Sequence, residues 1–206
     1  MIFCRINLKI YSQNMFRNKE DYQLHYIYHT NQHNNAYLIE LNLDKYDDLF
    51  NSWDGAELDR KELDPELSHF LARASYELPL KDKVELCFYL PETEKDEKME
   101  ADSRATIKNN FRMRQFFIDQ DLRHNHKKTA TYIVMGVLFL ITAYLIPENQ
   151  DLSLLISLLM EGLFVGGWVF LWEAFSIFFF GSRELKDKKK RYFRYLDSDI
   201  VFKYRE

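Results

Sequence analysis

Apolar and polar positions divide this chain into a mixed N-terminal stretch, a nearly uncharged centre and a basic C-terminal piece. Residues 2–11, 24–29 and 36–43 are short runs rich in Ile, Leu and Tyr, and they predict strands. The polar segment 31–35 (NQHNN) between the second and third predicts a hairpin. Residues 83–90 (KVELCFYL), closed by Pro91, predict a fourth strand. Between the third and fourth runs, residues 46–51 predict a short helix. Asp64-Pro65-Glu66 reads as the start of a longer one, with an Asp cap, Pro in the first turn and an acid near the positive end. Leu67, Phe70, Leu71 and Ala74 follow at i, i+3, i+4 and i+7, giving one apolar face for a sheet. The expected fold class is therefore an α+β domain, a small mostly antiparallel sheet with a covering helix, joined to a two-helix transmembrane hairpin.

From Glu92 the chain is highly charged, and Ile107, Phe111, Ile118 and Leu122, with Phe117 beside them, recur at helical spacing. Neither Pro nor Gly occurs between Glu92 and Tyr132. A long amphipathic helix is expected, running on into the first span rather than breaking at His124-Asn125-His126. Residues 129–146 form 18 uncharged positions, which at about 1.5 Å per residue reach roughly the hydrocarbon thickness of a bilayer. Residues 152–180 follow with 29 positions, charged only at Glu161 and Glu173, so this second helix must tilt, bend or leave its last turns in the interface. The five residues 147–151 between them force an antiparallel hairpin. After the second span, residues 184–196 predict a charged helix carrying Tyr192, Phe193 and Tyr195. Ile200, Phe202 and Tyr204 then alternate with Val201 and Lys203, as in a last strand that returns to the N-terminal sheet. The expected divisions are a cytoplasmic domain over 1–91, a charged helix over 92–128, spans over 129–146 and 152–180, an external turn over 147–151, and a basic helix and strand over 181–206.

Charge sharpens this division. The 206 residues carry 28 Lys+Arg and 32 Asp+Glu, a net charge of 28 − 32 = −4, which excludes a basic nucleic-acid-binding surface as the organising feature. An aromatic content of 16% excludes disorder. The mean hydropathy of −0.41 conceals a segment, 129–181, with no Lys or Arg at all. Arg112, Arg114, Arg123, Lys127 and Lys128 precede the first span, and Arg183 to Arg194 follow the second. The positive-inside rule then expects both termini in the cytoplasm and the acidic turn outside. Residues 1–14 lack a basic segment followed by an apolar core, so no secretory signal is expected. Cys4 and Cys87 would stay reduced there, as packing residues without a disulfide.

Candidate chemistry concentrates in the second span. Gly162 and Gly166 form GxxxG, with Gly167 beside them, a spacing that lets helix backbones approach closely within a hairpin or between protomers. Glu173 falls on the same stripe and Glu161 one residue off it. Both acids should face protein or water, or be protonated, rather than meet lipid as charges, because a charge at this depth costs about 2.5–3.5 kcal/mol on insertion scales. They either line an oligomeric pore or sense a proton or ligand, or they act plainly, with Glu161 bonding across the hairpin to Thr142 or Tyr144 and Glu173 reaching the interface beside Trp172. The basic run Lys186, Lys188, Lys189, Lys190, Arg191 and Arg194 suits anionic lipid headgroups better than nucleic acid, because it follows a span directly.

The remaining polar motifs carry less. His25, His29 and His33 recur every four residues, but on a strand only His25 and His29 share a face, and no Cys or carboxylate completes a ligand spacing, so no metal is expected. His124 and His126 sit at the membrane edge, where an interfacial role is expected. The acid-rich stretch Asp54, Glu57, Asp59, Glu62, Asp64 and Glu66 lacks the alternating acids of an EF-hand. No P-loop, GxGxxG, nucleophile elbow or HExxH occurs, so no catalytic residue and no cofactor is expected, and joint substitution of Glu57, Asp59 and His69 should leave function intact.

The stretch LFNSWDGAELDRKELDPELSHFLARASYELPLKDKVELCFYLPE, the charged helix with NNF, and EGLFVGGWVFLWEAFSIFFF followed by a basic helix together resemble a family of small bacterial two-span inner-membrane proteins. The resemblance covers most of the chain from about Tyr46 onward and implies a bacterial inner-membrane setting and nothing catalytic. The layout is also similar to that of small membrane effectors in bacterial anti-phage systems. The expected function is a non-enzymatic membrane effector or signalling subunit whose cytoplasmic domain binds a protein or small ligand. On this reading the chain is a homo-oligomer, with a pore as one form of output. The alternative is an anchor or assembly protein that recruits a soluble partner. Membrane lipids are expected partners and nucleic acid is not.

Overall fold

A computed structural model describes residues 24, 26–145 and 154–206. These divide into two compact units, Met1–Met113 with Arg191–Glu206, and Arg114–Lys190. The predicted strand over 2–11, Cys4, His25 and the acidic turn 147–151 lie outside the described residues.

The first unit is built on three strands, β1 (Tyr37–Asn42), β2 (Val84–Pro91) and β3 (Asp199–Arg205), in the order β1-β2-β3. All pairings are parallel, with Ile39, Leu86 and Ile200 in register and Leu41, Phe88 and Phe202 one pleat further on. This corrects the expected antiparallel sheet. Parallel partners need a crossover of a dozen or more residues. Residues 43–83 and 92–198 provide one each, and the sequence pattern of the individual strands carries no record of that. The near-continuous burial of β2 is the mark of a central parallel strand covered on both faces. The predicted hairpin is also corrected. Leu24, Tyr26 and Ile27 are helical, and the segment 31–35 closes only a single antiparallel bridge between Thr30 and Tyr37.

Helix α1 (Pro65–Glu77) begins where its sequence says. Asp64 accepts hydrogen bonds from the backbone N–H groups of Glu66 at 2.8 Å and Leu67 at 3.1 Å, and Pro65 occupies the first turn. Leu67, Leu71 and Ala74 are buried against the sheet, with Phe70 at the margin. Residues 46–49 form a single 3-10 turn that buries Tyr46 and Leu49.

Helix α2 (Glu97–Leu145) has 49 residues and passes His124-Asn125-His126 without interruption. It starts later than its charged sequence predicts, because Asp96 caps it by accepting from Lys98 N–H at 2.8 Å and Met99 N–H at 3.1 Å, while Glu92–Glu94 is a separate 3-10 turn. Ile107 and Phe111 enter the core of the first unit, where Phe111 stacks on Tyr195 at 5.3 Å and Phe88 stacks on Phe202 at 5.5 Å. Each such fully buried ring contributes about 1.5–3 kcal/mol of transfer free energy.

In the second unit, α2 lies against α3 (Leu154–Ser176), which continues through a π turn, Ile177–Gly181, into α4 (Ser182–Asp197). The Ser182 hydroxyl donates to the Ile177 carbonyl at 3.3 Å and closes that wider turn. The α3 face turned to α2 carries Met160, Leu163, Gly167, Leu171 and Ala174, spaced by three or four residues, all buried or half-buried. Phe170 meets Tyr132 at 5.7 Å and Phe139 at 5.4 Å. Elsewhere both helices expose Ile, Leu, Val and Phe to their surroundings. Two helices are thus long and apolar enough to cross a membrane.

Candidate functional site

Gly136 and Gly167 bring the two helix backbones close together. A Cβ on Gly136 would stand 2.9 Å from the Gly167 carbonyl oxygen, and one on Gly167 would stand 2.7 Å from Leu140 Cγ. A Cβ on Gly166 would lie 3.3 Å from the Phe139 ring, a close contact that a small shift of the ring would relieve, whereas a Cβ on Gly162 meets nothing within 4 Å. Of the glycines singled out in the sequence, Gly167 therefore makes the tight contact, Gly166 a looser one, and Gly162 faces outward. Gly136 was legible only as one position of an apolar run.

Glu161 and Glu173 are both exposed on α3. The Thr142 hydroxyl donates instead to the Leu138 carbonyl at 2.8 Å, and Tyr144 is exposed, so neither bonds Glu161. Twelve positions separate the two acids, which places them about 120° apart around an α-helix. Trp172 stacks on Phe175 at 6.0 Å and Phe175 meets Phe179 in a tilted pair at 4.3 Å, forming an exposed aromatic ladder next to Glu173.

The basic run divides by partner. Arg194 sends its guanidinium to the Pro79 carbonyl at 2.7 Å and to the Ser75 carbonyl and hydroxyl, each at 3.0 Å. Arg191 donates to the same Ser75 carbonyl and stacks 4.2 Å from the Tyr76 ring. Together they satisfy the Ser75 carbonyl in the last turn of α1 and the Pro79 carbonyl just past it. Burial holds the Arg194 guanidinium below its ordinary range, with Arg191 adding to the effect. Lys189 pairs with Asp119 at 2.7 Å in the second unit. Lys186, Lys188 and Lys190 are exposed, Lys190 lying 3.9 Å from Asp187.

Polar groups also cluster on the sheet face opposite the core. Glu40 receives the Tyr89 hydroxyl at 2.7 Å and sits 2.7 Å from His29 Nδ1. Partial burial pushes the Glu40 carboxyl up, but the bonds from Tyr89 and His29 outweigh it and hold the group below its ordinary value, while the bond to Glu40 pushes the Tyr89 hydroxyl up. Glu85, buried in β2, accepts from the side-chain amides of Asn31 at 2.8 Å and Asn34 at 3.3 Å. At the carboxyl end of the strands Tyr204 donates to Glu100, lies 2.8 Å from the Tyr46 hydroxyl and faces Lys95 across its ring. Burial, followed by the bond to Glu100, raises the Tyr204 hydroxyl.

Among the described residues, no group of three or more His, Cys, Asp or Glu is placed to hold a metal ion. The Asp54 carboxylate is occupied by the backbone N–H groups of Glu62 at 2.8 Å and Ala56 at 2.9 Å, bonds that lower it. His33 and the stretch around His124 and His126 are exposed, and Cys87 is a buried free thiol. Sequence reasoning missed Lys108 entirely. Its ammonium, on α2, reaches the carbonyls of Tyr195 at 3.2 Å, Leu196 at 2.6 Å and Ser198. No protein-family model, curated protein or solved structure matches this chain.

Proposed function

We propose that this chain is an integral protein of a bacterial inner membrane, with both termini in the cytoplasm, acting without catalysis as an effector or signalling subunit. The α/β unit binds a cytoplasmic protein or small ligand, and α2 and α4 pass the change to the spans, which form a homo-oligomer with a pore as one output. The observation that supports this most is that both chain connections between the two units lie inside helices, α2 and α4, instead of in loops. The bases on α2 and α4 and the uncharged stretch between them support the orientation. Replacing 152–180 by an unrelated span tests the reading: an effector loses its output on membrane potential while the chain stays membrane-bound.

A second reading, an anchor that recruits a soluble partner, is favoured by the two acids. Because Glu161 and Glu173 stand about a third of a turn apart, α3 offers no polar track along one face. Under this reading the same replacement leaves recruitment intact, so retained function decides for the anchor.

A further inference from the structure

We propose that Arg123, Lys127, Lys128 and Arg183 form a belt around the second unit that binds the phosphate of anionic phospholipids. The inference rests on the membrane-spanning reading above and reassigns the headgroup site. Arg191 and Arg194 hold the end of α1 and Lys189 holds Asp119. Half of the cations that sequence alone offered to lipid are therefore engaged inside the protein.

What replaces them is set by the antiparallel register of the helices. A Cβ on Gly181 would lie 3.5 Å from the Asn125 side chain, so these two residues share a level. Arg123 and Arg183 then both lie two residues beyond it, on the side away from the apolar stretch. Lys127 lies two residues on the other side, about 6 Å nearer that stretch at an α-helical rise, with Lys128 just beyond. All four side chains are exposed. Phe178, Phe179 and Phe180, also exposed, fall at the level of the two lysines, and Lys128 stands 5.4 Å above the Tyr132 ring. Along both helices the order is apolar surface, aromatic rings with lysines, then arginines. That sequence of layers matches acyl chain, interface and phosphate.

The neighbouring acids are fewer. Asp121 and Glu184 are exposed in the same turns, while Asp119 is occupied by Lys189. The belt keeps a net positive charge, which favours a headgroup with a net negative one over a zwitterion. A free phosphate lacks the acyl chains that the adjacent apolar and aromatic surface would cover. A lipid phosphate is therefore the better occupant.

The test is native mass spectrometry of the full chain in mild detergent with equimolar phosphatidylglycerol and phosphatidylcholine. The wild type is expected to retain phosphatidylglycerol preferentially. Each cation removed in the series Lys127→Gln, Lys128→Gln and Arg183→Gln should lower that preference by roughly fivefold, with helicity and melting unchanged. Lys203→Gln, in the α/β unit, should leave it intact. Equal retention of the two lipids, an unaltered preference in the triple variant, or displacement of the lipid by excess inorganic phosphate would each overturn the belt. Carbonate extraction from vesicles of phosphatidylcholine alone separates the two claims. Protein released there refutes the membrane-spanning reading, whereas protein retained there without lipid preference refutes the belt only.

Discussion

Gly136 and Gly167 meet backbone to backbone, each placed so that an added Cβ would lie within 3.0 Å of the other's carbonyl oxygen. No flexible side chain can yield to that clash, so the helix axes must separate. Gly136→Ala and Gly167→Ala are each expected to destabilise the hairpin by about 1–3 kcal/mol, the usual cost of overpacking. Gly162→Ala, facing open space, should be neutral for the hairpin itself. Thermal melting of the three variants in one detergent checks the order, and a Gly162 variant as damaging as Gly167→Ala would contradict it.

Lys108 ties the end of α4 to α2 in the first unit. Its ammonium serves the carbonyls of Tyr195 and Leu196 in the last turn of α4, where a helix leaves carbonyls short of internal partners, and that of Ser198 just past it. Lys108→Met keeps most of the aliphatic stem and removes the donors. Leaving buried acceptors unsatisfied typically costs about 1–3 kcal/mol. Faster amide exchange around Asp199 to Phe202 than around Leu67 to Leu71 would localise the loss to the return of β3. Equal stability of the variant would show that water replaces the ammonium.

The guanidinium of Arg194 makes a similar cap on α1, but through a planar fork. Three oxygens, from Ser75 and Pro79, lie within 3.0 Å of it. Arg194→Lys preserves charge and cannot reproduce that geometry. A loss of about 1–3 kcal/mol is expected by denaturant titration, from the same unmade hydrogen bonds. A lysine variant as stable as wild type would mean that charge alone suffices.

What the sequence revealed tracks how local each determinant is. Asp64, Pro65 and Glu66 act within one turn, so the start of α1 was readable, as was the continuity of α2 from the absence of Pro and Gly. Parallel pairing of β1 with β2 depends on where 41 intervening residues carry the chain, residues 43–83, and no strand-length pattern holds that information. The partner of Gly167 was hidden for the same reason, because it is fixed by the register of two helices. Arg191 and Arg194 looked like headgroup ligands because carbonyl ends and lipid phosphates attract the same guanidinium. Only their position against Ser75 separates the two uses.

Acid should act on the first unit through Glu40. Its carboxyl is held below the ordinary value of 4.5 by the Tyr89 hydroxyl and His29, against the opposing effect of partial burial. A depressed carboxyl binds protons more weakly in the folded state than in the unfolded chain. Its contribution is therefore complete above pH 4.5 and disappears as pH falls through the folded-state value. Tyr89→Phe removes one of the two bonds, brings the Glu40 carboxyl back toward its ordinary value and shrinks this contribution. The variant should be less stable than wild type at neutral pH, and the gap should close on acidification below pH 4.5. Chemical denaturation across that range measures it. A gap that persists unchanged into acid would trace the loss to packing of the phenol and not to the carboxylate it serves.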